Sequence, residues 1–123
     1  MIKLSYFVKR QPKWRRDDFH AYWRGNHAAL IKKHAATFGI QHYVQVHATE
    51  DPRNNPNQSF PLRYDGVAEL WFRSPEHLES WFHNKTPETN VAGKEIRDDE
   101  RKFIDRANSP FVIGREKIVI DGS

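Results

Sequence analysis

Apolar residues recur along the chain at two spacings, one typical of strands and the other typical of helices. Stretches rich in β-branched and aromatic residues predict four strands, at Ile2–Lys9, Ile40–Ala48, Tyr64–Phe72 and Pro110–Ile120. Apolar residues at helical spacing predict three helical segments, at Arg15–Phe38, Pro75–Lys85 and Val91–Asp105. Gly39 supplies a helix stop. The segment Thr49–Arg63 holds three prolines and three asparagines, which indicates a long loop of the kind that often forms a lid or binding loop.

The element order β-α-β-β-α-β predicts a ferredoxin-like α+β fold in a single domain, residues 1–123. This order implies a four-stranded antiparallel sheet whose helices cover one face. The other face of the sheet would remain apolar and uncovered. We therefore expect a homodimer that buries this face.

The two central strands each carry one face with polar and aromatic side chains. In the second strand Ile40, His42, Val44 and Val46 alternate with Gln41, Tyr43, Gln45 and His47. In the third strand Ala68, Leu70 and Phe72 alternate with Asp65, Val67, Glu69 and Trp71. Both faces of the sheet are covered in a dimer, so the buried polar groups must be paired or must line a cavity. The alternation therefore predicts a pocket.

Three histidines, His20, His27 and His34, are spaced by seven residues along the first predicted helix, beside the apolar residues Trp23 and Ile31. Each seven-residue step rises about 10 Å, whereas a zinc–nitrogen bond is about 2 Å long. The three side chains therefore cannot share a metal ion, and we expect no metal site. A site built from His27, His47 and Glu69 is a weaker alternative. For His20 and His34 we expect structural roles.

His27 is the histidine in this line that best fits acid–base chemistry. It lies in the middle of the helix, one turn beyond Trp23, and is expected to face the polar residues of the sheet. Those residues are His47, Glu69, Tyr43 and Gln45. A histidine near a carboxylate in a low-dielectric pocket can be tuned for proton transfer near neutral pH. The alternative for Glu69 is an ion pair with an arginine.

Composition narrows the classes of function. The 123 residues include no cysteine, which excludes disulfides, thiolate nucleophiles and cysteine-based zinc sites. The N-terminal residues lack the pattern of a signal peptide, and no apolar run approaches about 18 residues. We therefore expect a cytoplasmic protein that does not contact the membrane. The net charge is +4, but the basic residues are mixed with acids, and the cluster between Lys9 and Arg16 is interpreted as a solvated loop.

An RNA-binding module is the nearest alternative of another class, because the RRM domain has the same element order. That domain stacks bases on aromatic residues of its first and third strands. Here the third strand carries Val67 and Glu69 in the corresponding stretch, and a glutamate opposes phosphate binding. We therefore expect no nucleic-acid partner.

Four segments together resemble the EthD-domain family of the dimeric α+β barrel superfamily. They are FHAYWRGNHAALIKK, YVQVH, YDGVAELWF and DDERKFIDRANSPF, and the resemblance runs from about Ile2 to Ile120. It implies a ferredoxin-like dimer with a substrate pocket between each sheet and its helices. Characterised relatives include polyketide cyclases, anthrone-forming decarboxylases and dehydratases, and a muconolactone-type methylisomerase. These enzymes share acid–base chemistry without a cofactor on small cyclic or aromatic ketones and lactones.

The family pattern falls on His27 and His47, which are the candidate catalytic positions that the resemblance implies. In the resulting hypothesis, one of these histidines removes a proton alpha to a carbonyl. The other histidine or Tyr43 then hydrogen-bonds the enolate oxygen, and Glu69 orients one imidazole. The predicted substrate-binding residues are Tyr43, Gln45, Trp23, Trp71 and Phe7. The alternatives are a non-catalytic accessory or ligand-carrier dimer, and an oxygenase that is either cofactor-free or linked to haem.

Overall fold

The structure, a computed structural model, describes residues 1–54 and 63–122. Its strands are β1 (Ile2–Val8), β2 (Ile40–His47), β3 (Gly66–Phe72) and β4 (Phe111–Gly114). Its α-helices are α1 (Arg16–Tyr22), α2 (Ala28–Phe38), α3 (Pro75–Phe82) and α4 (Pro87–Phe103). Within the described residues the strands form an antiparallel sheet of order β2-β3-β1-β4. The predicted ferredoxin-like fold with a four-stranded antiparallel sheet is confirmed.

A π-helical turn, Trp23–His27, divides the predicted helix Arg15–Phe38 into α1 and α2. The backbone N–H of Ala28 reaches back five residues to the carbonyl oxygen of Trp23. The side-chain amide of Gln45 donates to the same oxygen at 2.9 Å. A π turn inserts an extra residue into a helix, and such turns are frequent at functional sites. This turn carries His27 into the interior.

Helix α4 begins four residues before the predicted start at Val91. The hydroxyl of Thr86 accepts from the backbone N–H of Thr89, and the hydroxyl of Thr89 accepts from the backbone N–H of Thr86. This capping box, followed by Pro87 at the first helical position, fixes the start of the helix. The prediction was wrong because it followed apolar spacing and overlooked the cap.

The last strand is shorter than the predicted Pro110–Ile120. Only Phe111–Gly114 form a strand, and within the described chain they pair with β1 from Lys3 to Tyr6. The side chains of Ile118, Val119 and Ile120 are 76%, 91% and 86% exposed. Apolar composition alone therefore gave too long a strand. Of the predicted loop Thr49–Arg63, residues 55–62 lie outside the described residues.

The core lies between the helices and one face of the sheet. Its fully buried side chains are Val8, Phe19, Trp23, Phe38, Phe72 and Phe103. The ring of Phe103 on α4 packs against Phe19 and Tyr22 of α1, with centroid distances of 5.3 and 4.9 Å. Aromatic packing thus joins α1 to α4. None of the described helices combines the length and apolar character needed to cross a bilayer.

A bulge at the start of β2 changes which residues face the helices. Ile40 pairs with Phe72, but the register shifts before His42, which pairs with Trp71. Beyond the bulge Tyr43 pairs with Leu70, and Val44 pairs with Glu69. Residues that pair across strands share a face. The expectation that Tyr43, Gln45 and His47 share a face with Glu69 and Trp71 is therefore wrong.

We predict that Gly39→Ala lowers the free energy of unfolding by at least about 1 kcal/mol. Gly39 ends α2 at a φ of 66°, and a Cβ there would collide with the imidazole of His77. Urea denaturation followed by circular dichroism measures the effect. Gly25→Ala in the π turn is the matched control, because a Cβ there meets nothing within 4 Å. Equal stability of the two variants would contradict this account.

Candidate active site

A cavity of about 490 Å³ lies between the helical layer and the inner face of the sheet. Its walls are mainly apolar and include Leu4, Val8, Trp23, Ile31, Phe38, Ala68, Leu70, Trp81 and Ile96. Its polar lining residues are Tyr6, His27, Tyr43, Arg97, Glu100, Arg106 and Ser109. An apolar cavity of this size with a few converging polar groups is typical of a small-molecule site.

His27 and Asp99 form a buried pair at the cavity wall. The Nδ1 atom of His27 lies 2.8 Å from Oδ2 of Asp99, and the hydroxyl of Tyr22 donates to Oδ1 of the same carboxyl group at 2.5 Å. His27 is 3% exposed and Asp99 is 5% exposed. Because the carboxyl group accepts the Nδ1 proton, the Nε2 atom of His27 is left with its lone pair.

Two opposing effects act on the pKa of His27. Burial lowers the pKa, and the hydrogen bond and charge of Asp99 raise it, with burial having the larger effect. The pKa therefore lies below its usual value of 6.5. A neutral imidazole with a free Nε2 lone pair can accept a proton from a ligand near neutral pH.

Glu100 faces the same end of the cavity, next to His27. Its Oε2 atom lies 3.9 Å from Nε2 of His27, which is beyond hydrogen-bonding distance. Burial raises the pKa of Glu100 to about 7, while the charges of Arg106 and Arg97 oppose that rise. Near neutral pH this carboxyl group therefore exchanges readily between its protonated and ionised forms. The cavity thus places the basic nitrogen of His27 beside the carboxyl group of Glu100, which can act as an acid near neutral pH.

Two partly buried tyrosines, Tyr6 on β1 and Tyr43 on β2, also line the cavity. Burial raises the pKa of both hydroxyls to about 12. Both therefore stay protonated and can donate hydrogen bonds at neutral pH. The hydroxyl of Tyr43 already accepts a hydrogen bond from the amide of Gln45 at 2.8 Å, so its own proton remains available to a ligand.

Of the predicted site residues, His27, Tyr43 and Trp23 line the cavity, while His47 and Gln45 lie behind its wall. The ring of His47 stacks on Trp23 at 4.6 Å between centroids, and its Nε2 atom lies 2.8 Å from Oε1 of Gln45. Trp23 therefore stands between His47 and the cavity. The catalytic role of His47 stays a prediction, and its contacts suit a residue that supports Trp23.

The remaining predicted site residues, Glu69, Trp71 and Phe7, lie on the outer face of the sheet. Phe7 pairs with Val67, and Glu69 pairs with Val44, so none of the three faces the helices. Glu69 forms an ion pair with Lys3 at 3.6 Å, whereas the alternative prediction had been an ion pair with an arginine. The expectation that Glu69 orients one imidazole is wrong, because Glu69 lies on the face of β3 opposite to Ala68 and Leu70, which line the cavity. The same separation rules out a metal site made from His27, His47 and Glu69.

Asp99 and Glu100 are the site residues that sequence reasoning missed. They follow Ala92 and Ile96 at helical spacing and precede Phe103, which places them on the apolar stripe of α4. A carboxyl group on such a stripe is costly to bury unless it is paired. That periodicity was the signal that could have found them, but the run DDERK resembles a solvated surface when it is considered by composition alone.

Comparison with known proteins supports the fold and identifies the family. A protein family model described as EthD domain matches residues 11–107. A solved structure of an EthD (ethyl tert-butyl ether D) family protein from Bacillus halodurans C-125 is 21% identical, with a TM-score of 0.61 and 95% and 99% of the two chains covered. No curated protein sequence matches this chain.

Two further solved structures have the same fold at lower identity. A protein from Arabidopsis thaliana is 13% identical, with a TM-score of 0.64 and 98% and 99% of the two chains covered. A protein from Bacteroides fragilis NCTC 9343, described as dimeric, ferredoxin-like and of unknown function, is 13% identical, with a TM-score of 0.57 and 94% and 95% covered. Likeness at this identity establishes the fold alone. Because the family model spans most of the sequence, the chain belongs to the EthD domain family.

Proposed function

We propose that this protein is a cofactor-independent acid–base enzyme of the cytoplasm that moves protons on a small cyclic or aromatic ketone or lactone. The observation that carries the proposal is the buried His27–Asp99 pair, whose free imidazole nitrogen borders a mainly apolar cavity. Such a pair supplies a base with a fixed tautomer.

In the first step, Nε2 of His27 removes a proton from the carbon alpha to a carbonyl. The electron pair of the C–H bond moves into the new C–C double bond, and the carbonyl oxygen becomes an enolate. The hydroxyl of Tyr43 donates a hydrogen bond to that oxygen. A fixed donor aimed at developing charge in a dry site lowers the barrier to this step. Asp99 stabilises the imidazolium that forms.

In the second step, Glu100 delivers a proton to a different carbon or to a leaving oxygen. Its pKa of about 7 suits both the loss and the recovery of a proton at neutral pH. The proton held by His27 then passes to Glu100, directly or by exchange through solvent, which restores both groups. Isomerisation, cyclisation and dehydration pass through the enolate of the first step, and decarboxylation forms the same kind of enolate by losing CO2 in place of the α proton. The proposal therefore covers this set of reactions.

The proposed active form is a homodimer that buries the outer face of the sheet. This face carries Phe7, Trp71 and Val67, together with Val46 and Val112, which are 46% and 60% exposed. The description of the Bacteroides fragilis neighbour as dimeric supports a homodimer here.

We predict that His27→Ala lowers the rate of α-proton exchange at least about 100-fold, because it removes the base. The measurement follows deuterium incorporation into a panel of aromatic ketones and lactones in D2O by NMR. His34→Ala is the matched control, since His34 lies on α2 beside Glu95 and is not among the cavity-lining residues. Ligand binding without exchange, unaffected by His27→Ala, would favour the ligand-carrier alternative.

The pH dependence of complete turnover, followed as product formed from any compound of the panel that exchanges, is predicted to be bell-shaped, because turnover needs neutral His27 as base and protonated Glu100 as acid. The rate rises with pH below 6.5 as His27 loses its proton, and it falls as pH rises through about 7 as Glu100 loses the proton it must deliver. Glu100→Gln removes the alkaline limb. Asp99→Asn moves the acidic limb to lower pH, because Asp99 raises the pKa of His27. An unchanged profile in both variants would contradict the assigned roles.

The proposed dimer is tested by introducing charged residues into its interface. We expect Val46→Glu combined with Val112→Glu to give a monomer in sedimentation velocity experiments, because paired carboxylates at an apolar contact cost several kcal/mol. Val91→Glu is the control, since Val91 is 67% exposed but lies on α4 at the opposite surface. A wild-type protein that sediments as a monomer would refute the dimer.

A further inference from the structure

Two guanidinium groups border the cavity and have no part in the proton transfer described above. Arg97 on α4 donates from Nη1 to the side-chain oxygen of Asn84. Arg106 follows α4, and its Nε atom lies 3.8 Å from Oε1 of Glu100, so the two groups attract without a direct hydrogen bond. Arg106 donates a hydrogen bond to the hydroxyl of Tyr6, and its side chain is 42% exposed, which leaves its other donors accessible from the cavity and from solvent.

The charges around this end of the cavity do not balance. Arg97 and Arg106 carry two permanent positive charges, and Glu100 is the acidic residue that lines the cavity with them. Glu100 is partly protonated near neutral pH, so it compensates less than one of those charges. The nearby carboxyl group of Asp99 is paired with His27, Tyr22 and Lys102 and not with either arginine. Tyr6 and Ser109 add hydroxyl groups at the same end. A neutral ketone would leave this positive charge unused.

We propose that the cavity recognises ligands that carry a carboxylate group, bound by Arg106 and Arg97 beside the hydroxyl of Tyr6. The inference rests on the proposed function, because it assigns the substrate class of the same site. The planar donors of a guanidinium match a carboxylate in pairs. The ring of the ligand then lies along the apolar wall near Trp23 and Trp81, with its ketone toward His27 and Tyr43. The substrate class is a cyclic or aromatic keto acid or lactone acid.

Binding of a carboxylate has a consequence for Glu100. The two carboxyl groups compete for Arg106, and like charges at close range disfavour two ionised forms. Glu100 therefore takes up a proton when the ligand binds, which prepares it to act as an acid. The charged and titratable groups that face or neighbour it are His27, Asp99, Arg97, Arg101, Arg106, Tyr6 and Tyr43.

The first test compares acids with their methyl esters by isothermal titration calorimetry. Benzoate, 2-acetylbenzoate and 4-acetylbenzoate are titrated beside the matching esters, which keep the ring and the ketone. We expect at least one acid to bind at least tenfold more tightly than its ester. Arg106→Gln and Arg97→Gln weaken the acid at least tenfold and leave the ester unchanged. Arg101→Gln removes the same charge from an exposed site paired with Asp98 and leaves both ligands unchanged.

The second test measures how many protons the protein takes up when the ligand binds, in the same titrations at pH 7.5. The binding enthalpies in Hepes and in Tris differ by the number of protons taken up multiplied by the difference between the ionisation enthalpies of the two buffers. We expect net uptake with the acid and none with its ester. Glu100→Gln abolishes the uptake while retaining the preference for the acid. A role of Arg106 limited to protein stability would not produce this signature.

Two results would overturn the inference. One is that no acid in the panel binds more tightly than its ester, and the other is that the arginine variants weaken acid and ester equally. Deuterium exchange separates this failure from failure of the proposed function. Exchange that depends on His27 without a preference for acids refutes the carboxylate site alone. A preference for acids without any exchange refutes the enzyme and leaves the binding site.

Discussion

The buried carboxyl group of Asp99 is the constraint on which the site depends. A carboxyl group at this depth costs several kcal/mol unless its oxygens are paired. Tyr22 at the end of α1 and His27 at the end of the π turn supply the two donors. The same contacts that relieve this cost hold α4 against the first helical segment and fix the tautomer of His27. Stability and chemistry therefore rest on one group.

The cavity follows from how the two layers meet. Large side chains, among them Phe103 and Phe72, fill parts of the interface between the sheet and the helices, but the space around Tyr6, Tyr43 and Glu100 is left open. A purely structural core would close such a space with apolar groups, since an unfilled cavity costs stability. Here the polar groups that line it have pKa values moved by burial, which is typical of functional sites.

The order of elements, the fold and the inward placement of His27 could be predicted from the sequence, because apolar periodicity and histidine placement are local properties. The bulge at Gln41 could not be predicted, since a single inserted residue reverses the facing of every later side chain in β2. Without the bulge, strict alternation places Tyr43 and Glu69 on one face, so the pattern predicts both in the pocket. Asp99 and Glu100 were missed because their meaning depends on the apolar stripe of α4 around them.

The π turn determines the direction of the His27 side chain through the number of residues in the turn, and not through their identity. A helix without the extra residue would turn α1 by about 100° relative to α2. Phe19 and Trp23 could then sit in the core only if His27 pointed away from Asp99, and the reverse also holds. A one-residue deletion between Trp23 and His27 would therefore prevent the core residues and the imidazole from both reaching their positions, even though Phe19, Trp23 and His27 were all retained.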